Sequence, residues 1–583
     1  MGPFTCRSCT VHRMRRLVIA ALRRADLLDA YFSLRARARD TRRLVRSRVG
    51  RRRFARAIGR VPVGHVVVSD GGTWTLARTS DELRDVEVRD ANLRLAVELC
   101  RGAGVEHFVV PATSIFRTAV GVPADQRDGL ARHLLTLDPP PHVHLLDDPS
   151  LAVALPWRHL PAARRRRITE SPSLDVFVAH ADRDGHGVIG RDLRCTIQLW
   201  DEVPAATAEA PTSGVVADEL VAPLPNPVAT SIGRSRATSD EITVAGLDVP
   251  TAPEFRWYLR GLEPPFPIDL VYTWVDGDDP AWQRRRDESL GLSGEPSRDG
   301  ATSERYRSFD ELRFSLRSVH QHVPWAGRIH LVTDRQVPSW LDVDHPSIRV
   351  VDHTEIFADP AALPTFSSHA IESQLHHIDG LSERYLYLND DVLFGRLADW
   401  ATYFDRGGRS RFFTSKARFA PRDPSPWETS VDNAGKNLQR HLFSVTGWAP
   451  TTKIKHTAHA QQRSLLAEME DVFADAFKET SLSRFRSPDD VSFASAMHHR
   501  YGEATGRAQV GNLAYQYLNL AGPNLRDRLA ALDDARFDAL CLNDGEIEAA
   551  DHERVRRDVE AFLRRRFPYP APWELDRPGG RDR

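Results

Sequence analysis

Two apolar runs that each stop on acids constrain the fold most. "IDLVYTWV" at 268–275 breaks into "DGDDP", and "RYLYL" at 384–388 runs into Asn389, Asp390 and Asp391. In the second run Tyr385 and Tyr387 fall on one face of an extended chain and Leu386 and Leu388 on the other. Both faces are apolar, the pattern of a strand covered on both sides in a parallel α/β sheet. Between the runs the period changes to that of a helix. In "SFDELRFSLRSVHQHVP", Ser308 and Glu311 have capping-box spacing, Phe309, Leu312, Leu316, Val319 and Val323 share one helical face, and Pro324 ends it. "RIHLVTD" and "IRVVDH" read as further strands, "SHAIESQLHHI" as a helix and "RFFTS" as a fifth strand. The alternation predicts an α/β fold: a mainly parallel, Rossmann-like sheet, with ligands beyond the carboxyl ends of its strands. Both acidic turns lie at such ends.

The 583 residues leave room for more than this unit. Residues 1–60 read as a basic arm, with seventeen Arg against three Asp in the first 56. Residues 61–200 read as a small α/β domain, in which "DANLRLAVELCRGAG" is a helix closed by glycine and "VEHFVVP" a strand. Residues 201–260, rich in Pro, Ala, Thr and Ser without periodicity, read as a linker. Residues 261–550 hold the larger α/β domain of the two acid-ended runs, and 551–583 a C-terminal helix and tail. A net charge of −1 gives no global attraction to nucleic acid, so no nucleic-acid partner is expected. The apolar stretch "LVIAAL" at 17–22 is far short of the ~20 residues of a membrane span, and its Arg flanks and missing cleavage site argue against a secretory signal. The expectation is a cytoplasmic protein whose basic arm either contacts the inner face of the membrane or is simply solvated. Five scattered cysteines form no disulfide framework, and Cys6, Cys9 and His12 are only half a zinc site. "DRDGHG" at 182–187 starts like a calcium loop but lacks its later ligands, so a tight turn is expected.

Asn389, Asp390 and Asp391 admit two readings, a turn that bonds its own backbone or ligands for a hard cation bridging phosphate oxygens. Residue type alone leaves them open.

Longer stretches carry a resemblance. "IDLVYTWVDGDDPAW" (268–282), "ELRFSLRSVHQHVPWAGRIHLVTDRQVPSWL" (311–341), "LPTFSSHAIESQLHHIDGLSERYLYLNDDVLFG" (363–395), the segment around "KIKHTAHAQQ" (453–462) and "CLND" (541–544) resemble the ordered conserved regions of the Stealth family. That family comprises bacterial capsular and exopolysaccharide sugar-phosphate transferases and is similar to the catalytic subunit of N-acetylglucosamine-1-phosphotransferase. The resemblance implies transfer of a hexose or N-acetylhexosamine 1-phosphate from a UDP-sugar to a hydroxyl of a growing glycan or lipid-linked glycan, with UMP leaving and Mg²⁺ or Mn²⁺ assisting. The alternatives are a glycosyltransferase releasing UDP and a silent glycan-binding scaffold.

By the same resemblance the catalytic residues are Asp391, His456, Glu372 and Arg486. Asp390, Asp391 and Asp276 are the expected metal ligands. Substrate contacts are expected from Tyr272, Thr273, Trp274, Arg313, Arg317, Ser368 and His459. The family's usual Pro-His is Ala458-His459 here, which favours His456. Ser487 and Pro488 read as N-cap and N1 of a helix that would set Arg486 beside an anion. Arg313 and Arg317, one turn apart, either clamp phosphate or pack against acids.

Overall fold

The computed structural model describes residues 49–575 except 149, 150, 152, 204–217, 291–305, 421, 534 and 546. Most of the expected arm, with Cys6, Cys9 and His12, lies outside these residues. Its last turns do not behave as an arm: residues 49–58 are helical, and Phe54 and Ile58 are buried against Leu76.

Residues 61–259 build one mixed eleven-stranded sheet covered by helices. Asp85–Ala103 is the expected helix, closed at Gly104 in the left-handed region (φ 67°). The linker expectation for 201–260 fails over its described part. Glu219–Val221 pairs with Cys195–Glu202, and Leu247–Thr251 docks on Phe108–Val110. These strands are three to five residues long. Pieces that short show little periodicity, which is why composition misleads there. "DRDGHG" is the tight turn expected, with Asp182 Oδ1 accepting the N–H groups of Asp184 (2.9 Å) and His186 (2.7 Å).

The second half is organised around strands β1 (Ile268–Thr273), β2 (Ile329–Thr333), β3 (Ile348–Asp352), β4 (Arg384–Asn389), β5 (Val392–Phe394), β6 (His459–Gln462), β7 (Tyr515–Asn519) and β8 (Ala539–Asn543). Its main helices are α1 (Glu311–His322), α2 (Ser368–Glu372), α3 (Ser430–Thr446) and α4 (His552–Arg566). The central sheet runs β3-β2-β1-β4-β6, parallel except for β6. The fifth strand is therefore β6. Ser410–Phe412, which overlaps the start of the expected "RFFTS" strand, pairs instead with Ala508–Val510 in a separate two-stranded sheet.

The two apolar faces of β4 enter two cores, as the pattern requires. Leu386 and Leu388 pack with Leu270, Tyr272, Leu312 and Leu316, whereas Tyr385 and Tyr387 pack with Val271, Val332 and Val351. All four β4 side chains are fully buried. Burial of this kind contributes ~1.5–3 kcal/mol per large apolar side chain, so a one-residue slip, exchanging the two faces, is disfavoured. Pairing of Tyr272 with Leu388 and Thr273 with Asn389 sets the ends of β1 and β4 side by side.

Helix α1 starts later than the capping box implies. Asp310 takes φ 67°, Ser308 Oγ accepts the Asp310 N–H (3.1 Å), and the Glu311 carboxylate turns back to the Phe309 N–H. Among the described residues no helix is long and apolar enough to cross a membrane.

Candidate active site

The site forms where β4 ends and the chain doubles into β5. Residues 390 and 391 make the turn, and β5 pairs with β8 so that Val392 faces Cys541. This pairing carries Asp391 to the start of the "CLND" stretch. Asp391 Oδ2 accepts the Cys541 thiol at 3.2 Å, and the Leu542 N–H donates to the Asp391 carbonyl at 3.0 Å. Burial, reinforced by Asp391, pushes the Cys541 thiol well above its ordinary range. Cys541 is thus a neutral S–H donor that orients the carboxylate. Position 541 carried no assigned role, although its motif was visible.

The other Asp391 oxygen meets His456, whose Nε2 lies 3.1 Å from Oδ1. Burial would lower the pKa of this imidazole, but the charge and hydrogen bond of Asp391 prevail and hold it above the ordinary value. Glu372 adds to that upward pull and Arg486 opposes it, so His456 lies within the fields of both groups. Of the four expected catalytic residues, Asp391 and His456 touch, while Glu372 and Arg486 act on His456 through charge alone. Tyr515 fixes the loop by donating its hydroxyl to the His456 carbonyl at 2.6 Å.

Glu372, 4% exposed at the end of α2, is a saturated acceptor. It receives Ser492 Oγ (3.1 Å), the Ser495 N–H (3.2 Å), Ser495 Oγ (2.8 Å) and the Tyr387 hydroxyl (3.4 Å). Thr273 donates to the Tyr387 hydroxyl at 3.1 Å, which ties β1 to the same network. Both serines are presented by a π turn at Phe493–Met497, a local widening that recurs at functional sites.

The helix expected to begin at Ser487 is absent. The Asp490 carboxylate, 1% exposed, accepts from the Ser487 N–H (2.9 Å) and Ser483 Oγ (2.6 Å), folding 487–490 into a turn. Arg486 is consequently not at a helix N-terminus. Its guanidinium spans two serine hydroxyls, Ser430 (3.1 Å) and Ser368. Ser368 is thus brought to the site through Arg486.

Asp390 and Glu311 feel the charge of Asp391, although neither joins it in a metal-competent group among the described residues. Burial and then the Asp391 charge push Asp390 up to about 7, and burial and then Asp390 push Glu311 up to about 8. Carboxylates crowded in this way favour a shared cation. Their all-oxygen character suits a hard divalent ion, which a protonated thiol does not. Asp391, His456 and Cys541 also bring an oxygen, a nitrogen and a sulfur within 4.8 Å of one another.

Several other expectations are corrected. Tyr272 is fully buried with its hydroxyl on Ser315 Oγ (2.8 Å), so it is a core residue and frames no base. Trp274 packs against the same core. The Asp276 carboxylate accepts the Asp278 N–H (3.0 Å) as a turn and belongs to none of the metal-competent groups among the described residues. Arg313 and Arg317 both bind the buried carboxylate of Glu574 in the tail, at 2.6 Å and 2.7 Å, the packing alternative. His459 is driven down to about 3 by burial and is neutral. It bonds His499 (3.0 Å) and stands 6.5 Å from the His456 ring, so it supports the site from behind.

Comparison with known proteins identifies the lineage. The descriptions "Stealth protein CR1, conserved region 1", CR2, CR3 and CR4 match residues 266–294, 305–412, 455–503 and 530–581 in order. An exopolysaccharide phosphotransferase of Streptomyces coelicolor is 40% identical over 500 residues, covering 84% of this chain and 82% of that one. The chain belongs to the Stealth family. A second S. coelicolor exopolysaccharide phosphotransferase is 35% identical over 91% of both chains. The Mycobacterium tuberculosis exopolysaccharide phosphotransferase CpsY is 37% identical over 60% of this Stealth chain and 66% of its own. The galactosyltransferase LgtC, solved with donor and acceptor sugar analogues, aligns at 12% identity and TM-score 0.27 over 51% of this chain and 95% of that one.

Proposed function

We propose that this Stealth protein transfers a sugar 1-phosphate from a UDP-sugar to a hydroxyl of a growing exopolysaccharide, releasing UMP. The observation that carries the reading is the Asp391–His456 contact at the carboxyl end of the sheet, within the charge fields of Glu372 and Arg486, in a chain whose relatives are named exopolysaccharide phosphotransferases. The acceptor oxygen bonds to the β-phosphorus as the bond from that phosphorus to the UMP oxygen breaks. Such transfer asks the protein for positioning and charge stabilisation.

Asp391 is positioned to take the acceptor hydroxyl proton, held in place by Cys541 and by the His456 N–H. His456, kept basic by Asp391, donates a hydrogen bond to a phosphoryl oxygen. Arg486, braced by Ser368 and Ser430, faces phosphate charge with its planar fork. Asp390 and Asp391, with Glu311 behind them, would hold Mg²⁺ or Mn²⁺, which when bound neutralises diphosphate charge. Glu372, saturated by four donors, orients the acceptor side of the site.

The test is incubation with UDP-sugars labelled at the β-phosphate, a divalent cation and glycan acceptors. UMP release with label in the glycan is expected. UDP release would replace this reading with glycosyl transfer, and no release across a broad donor set would replace it with a binding role.

A further inference from the structure

The candidate active site draws only on the first half of the "SHAIESQLHHI" stretch, through Ser368 and Glu372. Its second half, beyond α2, forms a 3₁₀ turn at Leu375–His377 that sets two adjacent imidazoles against one carboxylate. His376 Nε2 lies 2.6 Å and His377 Nε2 3.0 Å from the same oxygen, Oε2 of Glu470, and the two ring centres stand 4.0 Å apart. Glu470 comes from the helix Arg463–Val472, which directly follows β6. One donor atom from each of the three side chains lies within 4.8 Å of the other two.

The surroundings hold this set in place on one side and leave it open on the other. Leu375 and Met469, each one residue from a member of the cluster, are fully buried in the same core. Phe477 stands perpendicular to the His376 ring at 6.3 Å. The Glu470 and His377 side chains are 39% and 32% exposed, against 3% for His376. Solvent, and an ion with it, therefore reaches the cluster from the side of Glu470, the side chain freest to move aside.

The donor chemistry points to a cation. His377 Nδ1 faces the Ile356 carbonyl at 3.0 Å, and a carbonyl accepts only from a nitrogen that carries its proton. In the neutral ring Nε2 is then the lone-pair nitrogen, aimed at a carboxylate oxygen. Two electron-rich atoms 3.0 Å apart need a positive charge between them, either a second imidazole proton or a metal ion. An N–H bonded to a backbone carbonyl is also the usual outer partner of a metal-bound histidine. Two imidazoles and one carboxylate suit Zn²⁺ and its neighbours rather than Mg²⁺. Ligand atoms ~2.0–2.2 Å from a tetrahedral Zn²⁺ stand about 3.3–3.5 Å from one another. The 2.6 Å and 3.0 Å separations reach that spacing by a movement of under ~1 Å, with water as the fourth ligand on the exposed side. His376 Nδ1 is buried and has no hydrogen-bond partner among the described residues. It keeps an unpaired proton when Nε2 ligates, which sets the affinity in the micromolar class.

We propose that His376, His377 and Glu470 bind a divalent transition-metal ion of the Zn²⁺ class, which staples the segment behind α2 to the helix Arg463–Val472. Glu372 lies four residues before His376, so the ion steadies the backbone that carries it. The test is equilibrium dialysis of the full chain against Zn²⁺, with a parallel Co²⁺ titration followed by visible absorption, in the parent, His377→Ala, Glu470→Gln and Asp391→Asn. One equivalent of Zn²⁺ is expected to bind at micromolar concentration, to be retained by Asp391→Asn, and to be weakened at least tenfold by His377→Ala and by Glu470→Gln. Excess Mg²⁺ should leave it in place. Co²⁺ bound there should show the visible bands of a four-coordinate ion without the charge-transfer band that a Cys541 thiolate would add. Hydrogen exchange should slow at 373–378 and 466–472 on loading. Metal-free melts check that each variant is folded, and the Co²⁺ spectrum and exchange map of the parent decide without any variant. Equal Zn²⁺ affinity in the parent and both cluster variants, binding lost only in Asp391→Asn, slowing confined to the Asp391 region, or binding only at millimolar concentration would each overturn the proposal.

Discussion

Replacing Asp391 with Asn tests the centre of the site with the smallest change of shape. The substitution removes one negative charge and keeps one carbonyl acceptor. The amide oxygen can still accept from the Cys541 thiol or the His456 N–H, which lie 3.2 Å and 3.1 Å from the parent carboxylate. The side chain is 20% exposed, so no large desolvated group is stranded. The stability cost is one weakened hydrogen bond, about 1 kcal/mol. The catalytic cost is larger. A positioned proton acceptor contributes ~10²–10⁴-fold, which is roughly 2.7–5.4 kcal/mol of barrier at ~1.36 kcal/mol per decade. His456 changes as well: it loses its main upward influence, burial prevails, and its pKa falls. Residual turnover should therefore shift its pH dependence toward acid. Steady-state UMP release between pH 5 and 9, alongside a thermal melt of each protein, measures all three quantities. A folded Asn variant with turnover within about twofold of the parent would refute the role of Asp391.

Two further variants examine the supports of the site. Arg486→Ala frees the Ser368 and Ser430 hydroxyls and should lower kcat/KM for donor by ~10²-fold, with Lys recovering only part because it cannot span both serines; full activity of the Ala variant would remove Arg486 from the chemistry. Glu574→Ala strands Arg313 and Arg317 against a 4% exposed position and should cost roughly 3 kcal/mol in a denaturant or thermal melt. Burial raises the Glu574 pKa, but the Arg317 hydrogen bond and charge, the Ala571 N–H and Arg313 outweigh it, so the folded value is lowered. Its stabilisation is then complete above the ordinary unfolded value of ~4.3 and lost as pH falls through the lower folded value. Parent Tm should drop across that acid window more steeply than that of Glu574→Ala, and parallel curves would contradict the tail clamp.

Legibility in the sequence followed the range over which each interaction is decided. Strand β4 was readable because both its faces are apolar over four consecutive residues, and Asp390 and Asp391 because they stop that pattern abruptly. Arg313 and Arg317 were readable as a pair on one helical face, but their partner was not, since Glu574 lies 261 and 257 residues away. Cys541 stands 150 residues from the carboxylate it orients, and only the pairing of β5 with β8 makes them neighbours. Tyr272 misled for a related reason. A tyrosine at a strand end reads equally as core or as ligand contact, and Ser315 on α1 decides it. The missing helix at Ser487 was lost to Asp490, whose carboxylate satisfies Ser483 and Ser487 in a turn.

Helix α1 ties these distant decisions together. The carboxylate of its first residue, Glu311, lies within the charge field of Asp390. On its next turns Ser315 donates to the Val392 carbonyl and Ser318 accepts the Phe394 N–H (3.0 Å), which fixes β5 directly after Asp391. Arg313 and Arg317 hold the tail from the same helix. Its last residues, Gln321 and His322, line a cavity of about 450 Å³ at the boundary with the N-terminal unit, and His322 bonds Asp85 at the start of the helix Asp85–Ala103 at 2.7 Å. The twelve residues span ~18 Å at 1.5 Å per residue, so one rigid element runs from the candidate site to the domain boundary. Packing of the two halves therefore bears directly on the geometry at Asp391, because any tilt of α1 that would loosen the Asp85–His322 contact also moves Ser315, Ser318 and the strand they hold.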